Sequence, residues 1–121
     1  MKRILVVGAG GQIGTELIPH LQKNYGYDNV IAADLKDEVV SRLSQNAIAE
    51  KLDATDFQAY GELVKKYKVD AIYNMVALLS ATGERMPDVA WNINMGALLN
   101  SLSLAKEFKT ALFTPSSIGA F

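Results

Sequence analysis

Residues 3–14 read RILVVGAGGQIG, and what this stretch can fold into decides how the rest of the chain is read. Ile4 to Val7 are four consecutive aliphatic residues that stop at Gly8; the chain then passes through Ala9, Gly10 and Gly11 before a helical pattern begins near Gln12. A short apolar run of this kind, closed by glycines, predicts a strand buried on both faces, a tight turn and a helix start. Glycine lets a backbone come close to a bulky anion, and the first-turn amides of a helix carry about half a positive charge. The stretch therefore predicts a seat for a pyrophosphate. Its regular spacing is Gly8, Gly11, Gly14, or GxxGxxG, in which Gly8 allows the turn, Gly11 the phosphate approach and Gly14 close packing of helix on strand. An ordinary flexible turn is the alternative, but a strand before, a helix after and an acid at the expected distance favour a nucleotide. A Walker phosphate loop is excluded, because Thr15 and Glu16 follow Gly14 where that loop needs Lys and Ser or Thr.

Composition narrows the field further. The chain has 121 residues, half of them hydrophobic, which is enough for a core and predicts one domain over 1–121. A net charge of −1 offers no basic field, so no nucleic acid partner is expected. Cysteine is absent, which removes disulfide frameworks and thiolate zinc sites, fits a reducing compartment, and leaves no metal centre to expect. The start imitates a signal peptide only briefly, since its aliphatic run is interrupted by glycines. No stretch approaches the roughly 18 apolar residues of a membrane span, and a cytoplasmic location is the expectation.

After the glycine turn, Ile13, Leu17, Ile18 and Leu21 recur at helical spacing, with Pro19 inside the pattern predicting a kink or local break. His20, the single histidine, reads as a surface or packing residue rather than a ligand or base. Val30 to Ala33 forms a second strand ending on Asp34, which stands twenty residues after Gly14. That is the distance at which a carboxylate reaches the two hydroxyls of an adenosine ribose, and it would repel a 2′-phosphate, favouring NAD over NADP. Lys36 keeps an NADP reading open, and a plain cap of the next helix is the structural alternative. A short helix over 38–45 and a third strand near 47–52 follow. Asp53 lies just past that strand, where its side chain could accept from the exocyclic amino group of adenine while the amide of Ala54 donates to the ring; turn chemistry alone would also explain it. Asp56 is a candidate N-cap for a helix over 57–67.

The fourth strand falls within 69–76, and 77–86 is a loop of small and polar residues. Pro87 and Asp88 open a long helix to about Phe108 with apolar residues on more than one face, which predicts burial on two sides. Ala111, Leu112 and Phe113 begin a fifth strand. Strand and helix alternate throughout, so the expected fold is α/β: a parallel, doubly wound Rossmann-type sheet of order 3-2-1-4-5 with its ligand at the strand C-termini. The glycine turn, Asp34, Asp53, the loop from Ala77 and the pair Ser116-Ser117 all fall at that edge.

Three stretches together carry a resemblance. GAGGQIG, then VALLSATGE at 76–84 with AWNINMGALLN at 90–100, then FTPSSIGAF at 113–121, resemble the short-chain type of L-threonine 3-dehydrogenase, within the extended short-chain dehydrogenases that also include sugar-nucleotide epimerases. The resemblance implies that Gly8, Gly11, Gln12, Ile13 and Gly14 hold the pyrophosphate of NAD, Asp34 and Leu35 the adenosine ribose, and Asp53 with Ala54 the adenine. It implies further that Met75, Val76, Ala77 and Leu78 line the nicotinamide half, that Asn94 helps fix that region, that Ser80 touches substrate, and that Ser117 is the catalytic Ser/Thr that hydrogen-bonds the substrate hydroxyl. The implied reaction is oxidation of L-threonine to 2-amino-3-oxobutyrate, in a homodimer formed through the 87–108 helix.

The chain departs from that pattern in one respect. The family's base is the tyrosine of a YxxxK motif, and no tyrosine follows Tyr73. The expectation is the N-terminal, NAD-binding part of a longer enzyme, inactive alone, with its fifth strand an apolar edge. A sugar-nucleotide epimerase or dehydratase is the alternative enzyme, and a free-standing NAD-binding module without chemistry the alternative of another class.

Overall fold

The computed structural model describes residues 2–76 and 87–114, and for residues 12, 87–91 and 94 the backbone alone. The elements run β1 (Ile4–Val7), α1 (Gln12–Tyr25), a 3-10 turn (Tyr27–Asn29), β2 (Val30–Asp34), α2 (Asp37–Leu43), β3 (Ile48–Lys51), α3 (Phe57–Tyr67), β4 (Ala71–Asn74), α4 (Pro87–Phe108) and β5 (Ala111–Phe113). The strands form one parallel sheet in the order β3-β2-β1-β4-β5, as the sequence predicts.

The continuous apolar run of β1 has a direct cause. Because side chains alternate across a strand, Leu5 and Val7 enter a core with α3 and α4, containing Tyr60, Leu63, Val64, Ala97 and Leu104. Ile4 and Val6 enter a second core on the opposite face, with Ile18 and Leu21 of α1 and Leu43 of α2. A central strand flanked by helices on both faces has no solvent side, so no polar position interrupts it. All four residues are fully buried, each burial being worth about 1.5–3 kcal/mol.

Two expectations about helices are sharpened. α1 runs unbroken through Pro19, where a kink or break was expected. Pro19 removes one amide, but it and Thr15, whose carbonyl loses its partner, are both exposed, so water can satisfy that oxygen. Asp56 caps α3 as expected, its carboxylate accepting from the Ala59 amide at 3.1 Å. α4 turns Ala97, Ser101 and Leu104 into the core and leaves Ile93, Leu99 and Leu102 about half exposed. β5 is an edge strand whose Phe113 stacks on Tyr73 of β4, ring centroids 4.7 Å apart. Among the described residues, no helix is long and apolar enough to cross a membrane.

Candidate functional site

The carboxyl ends of β1, β2, β3 and β4 meet the start of α1 at one edge of the sheet. There Gly8 turns with φ +73°, a left-handed conformation, and a Cβ on it would lie 2.9 Å from the Val76 amide nitrogen. Both the Gly8 and Ala9 amides donate to the carbonyl of Ala33, at 2.9 and 3.0 Å, which pins the turn to β2. A Cβ on Gly14 would fall 2.7 Å from the Ala9 carbonyl, so the first turn of α1 lies against the strand end at a distance only glycine permits. Gly11 is the N-cap of α1 with ordinary extended geometry and supplies no side-chain cap. The first-turn amides therefore meet no capping side chain, which is the electrostatic condition for seating an anion. Ile13, in that first turn, is half exposed.

Asp34 ends β2 and is buried. Its Oδ2 accepts from the Gly10 amide at 2.9 Å and its Oδ1 from the Lys36 amide at 3.2 Å. A buried carboxylate has to be paired, and two backbone amides hold this one in place while leaving acceptor capacity for further donors. Asp34 does not cap α2, whose N-cap is Lys36 and which has no side-chain cap; its bond to the Lys36 amide lies just ahead of that helix.

Beside Asp34 opens a hollow. It is lined by Val7, Gly8 and Val76, by Asp34 and the half-exposed Leu35, by Leu52, Asp53, Ala54 and Thr55, and by Ile93 of α4. At the far wall Asp53 Oδ1 accepts from the Thr55 amide at 2.9 Å and from the Thr55 hydroxyl at 2.6 Å, the turn chemistry foreseen as its alternative role. The carbonyl of Ala54 accepts from Asn100 Nδ2 at 2.9 Å, so α4 holds this wall. Gly96 helps: a Cβ there would come within 3.3 Å of the Thr55 methyl.

At the end of β4 the chain continues the parallel pairing through the Met75 amide, which donates to the Val7 carbonyl at 2.8 Å. The buried Asn74 then accepts from the Val76 amide at 3.3 Å, turning the chain so that Met75 and Val76 are both buried beside the glycine turn. Among the described residues, no group of three or more His, Cys, Asp or Glu side chains could hold a metal.

Of the residues singled out from sequence, Gly8, Asp34, Leu35, Asp53, Ala54 and Val76 border the hollow, with Gly11, Ile13, Gly14 and the backbone of Gln12 in the adjoining helix start. Met75 lies next to Val76, and Asn94 follows Ile93 on α4, its backbone alone being described. Ala77, Leu78, Ser80 and Ser117 lie outside the described residues. Sequence reading missed Gly10, Arg42, Ile93 and Asn100. Ile93 and Asn100 sat within an apolar helix whose facing could not be read; Gly10 stood outside the regular glycine spacing.

These residues fit a dinucleotide: an uncapped helix start for a diphosphate, a fixed carboxylate for ribose hydroxyls and a mostly apolar slot for a flat base. Residues 4–120 match the NAD dependent epimerase/dehydratase family. The chain is 49% identical, over its whole length, to an uncharacterized epimerase/dehydratase of Staphylococcus saprophyticus, of which it spans 38%. It superposes on the X-ray structure of L-threonine dehydrogenase from Clostridium difficile with a TM-score of 0.90 at 47% identity, covering 100% of this chain and 38% of that one. For L-threonine 3-dehydrogenase from Trypanosoma brucei the TM-score is 0.88 at 38% identity, with the same coverage.

Proposed function

The chain belongs to the NAD dependent epimerase/dehydratase family, and from that premise we propose that it is the NAD-binding part, residues 1–121, of a cytoplasmic L-threonine 3-dehydrogenase. The observation that carries the choice among family activities is the likeness, at 47% identity and across all 121 residues, to the Clostridium difficile enzyme. The uncharacterized Staphylococcus relative is compatible with it.

In this proposal the cofactor contributes acceptance of the hydride from the hydroxyl-bearing carbon of L-threonine, which yields 2-amino-3-oxobutyrate. The protein contributes position. Gly8, Gly11, Gln12, Ile13 and Gly14 seat the pyrophosphate on the start of α1. Asp34, with Leu35 beside it, takes the ribose hydroxyls, and its fixed negative charge disfavours a 2′-phosphate. Asp53 and Ala54 face the adenine, while Met75, Val76, Ala77, Leu78 and Asn94 border the nicotinamide half. Ser80 contacts substrate, and Ser117 donates to the hydroxyl being oxidised. The proton acceptor would come from a Tyr/Lys pair elsewhere in the full-length protein, since this chain has no tyrosine after Tyr73. The half-exposed Leu99 and Leu102 on the outer face of α4 would meet a second copy in a homodimer.

The test is NADH formation by the full-length protein. Turnover with L-threonine and NAD supports the proposal; no turnover with threonine, but conversion of a nucleotide sugar, overturns it in favour of an epimerase or dehydratase.

A further inference from the structure

Gly10 does not belong to the regular 8, 11, 14 spacing, yet it is the most closely confined of the turn glycines. A Cβ on it would sit 2.3 Å from Val39 Cγ1 and 2.8 Å from Asp34 Oδ2. Its peptide groups are engaged on both sides. The amide donates to Asp34 Oδ2 at 2.9 Å, and the carbonyl accepts from Arg42 Nη2 at 3.1 Å. Val39 and Arg42 lie three residues apart on α2, so they project from one face of that helix onto the turn. The Gly10 backbone is thus held between α2 and the acid at the end of β2.

From this arrangement we infer that Arg42 is a positioning residue for the adenosine ribose: it holds the Gly10 carbonyl, and Gly10 in turn aims the Asp34 carboxylate. The inference rests on the proposal that the hollow binds NAD. Arg42 is on the surface, where a bond to a backbone carbonyl does little for the fold as a whole. Its value lies in what the carbonyl is attached to. A carboxylate that grips two vicinal hydroxyls needs both its oxygens held in orientation, and the Gly10 amide is the contact that fixes Oδ2. Without Arg42 the peptide that follows Gly10 is free to turn, the Gly10 Cα loses one of its two holds, and the amide ahead of it is less firmly aimed at Oδ2. Part of the ribose binding energy is then spent on restoring the geometry. The charge of Arg42 is not what matters here; the donor at Gly10 is. Lys in its place supplies a donor to a single carbonyl oxygen, so it restores most of the effect.

The test is calorimetric titration of the full-length protein, as wild type, R42A, R42K and G10A, with NAD and with its analogue bearing 2′-deoxyadenosine. For R42A the dissociation constant for NAD rises about five- to tenfold, the upper range of one ordinary hydrogen bond. R42K recovers most of it, and G10A, whose new methyl presses on Asp34 Oδ2, loses at least as much. The deciding readout is the analogue: lacking one of the two hydroxyls that Asp34 grips, it loses distinctly less affinity than NAD does between wild type and R42A. An equal loss for both cofactors means a general electrostatic or folding effect and overturns the inference, as does an R42A variant that binds NAD as wild type does. Should R42A fail to fold, R42K against G10A with the two cofactors decides the matter by the same comparison. Wild-type protein that takes up no NAD overturns the proposed function and this inference together; NAD binding indifferent to Arg42 overturns the inference alone.

Discussion

Gly8 shows how much one missing methyl can decide. At φ +73° it already sits where side chains are strained, and the atoms its Cβ would meet belong to the Val76 backbone, which cannot rotate away. Gly8→Ala therefore lowers stability by about 2 kcal/mol or more, measured by chemical denaturation of the full-length protein; a change within about 0.5 kcal/mol contradicts the strain. This residue was legible, because a glycine that ends an apolar run before a helix has one common reason to be there. Asp34 was legible for a similar reason, its distance from Gly14. Gly10 was not: its neighbours Asp34, Val39 and Arg42 lie 24, 29 and 32 residues further along, and spacing within a turn carries no information about them. The hold of Asn100 on the carbonyl of Ala54 was not legible either, because it depends on how α4 is rotated.

At the level of elements, α3 and α4 are joined by a buried pair. Ser101 donates its hydroxyl to the Ala97 carbonyl at 2.7 Å, so Tyr60, 2.7 Å from the same oxygen, is the donor to it. Burial pushes the Tyr60 hydroxyl up to about 12 against an opposing effect of Ser101. In the unfolded chain the group titrates near 10. Between those values the unfolded state has lost its proton and the folded state keeps it, so stability falls as pH rises, by up to about 1.4 kcal/mol per pH unit from this group. Tyr60→Phe lowers stability by about 1 kcal/mol near neutral pH and flattens that alkaline slope. Denaturation midpoints over about three pH units, from ~9 to ~12, check both effects; an unchanged slope contradicts the assignment. The element boundaries themselves were mostly visible, since apolar period and glycine position mark them. The course of α1 through Pro19 was not, because whether a lost amide breaks a helix depends on whether water reaches the orphaned carbonyl.

For the molecule as a whole, the sheet order followed from the alternation of strands and helices, and the edge where the site collects followed from the order. What the alternation could not supply was the lining of the hollow, because part of it, Ile93, comes from α4, which lies far along the chain from the glycine turn and meets it only in the packed structure. The outer face of the same helix bears the proposed subunit contact. Leu102→Glu places a charge on that half-exposed position, and the proposed contact predicts that light scattering of the full-length protein reads a dimer for wild type and a monomer for the variant; a monomeric wild type or an unchanged dimer contradicts this use of α4. The central claim, that the strand ends hold NAD through Asp34, is tested most directly by calorimetric titration of NAD and NADP into the full-length wild type and into Asp34→Ala. The account predicts one NAD per chain, weaker NADP, and a loss of about ten- to hundredfold in NAD affinity with the preference for NAD abolished in the variant. Equal affinity of wild type for the two cofactors, or NAD affinity unchanged by Asp34→Ala, would contradict it.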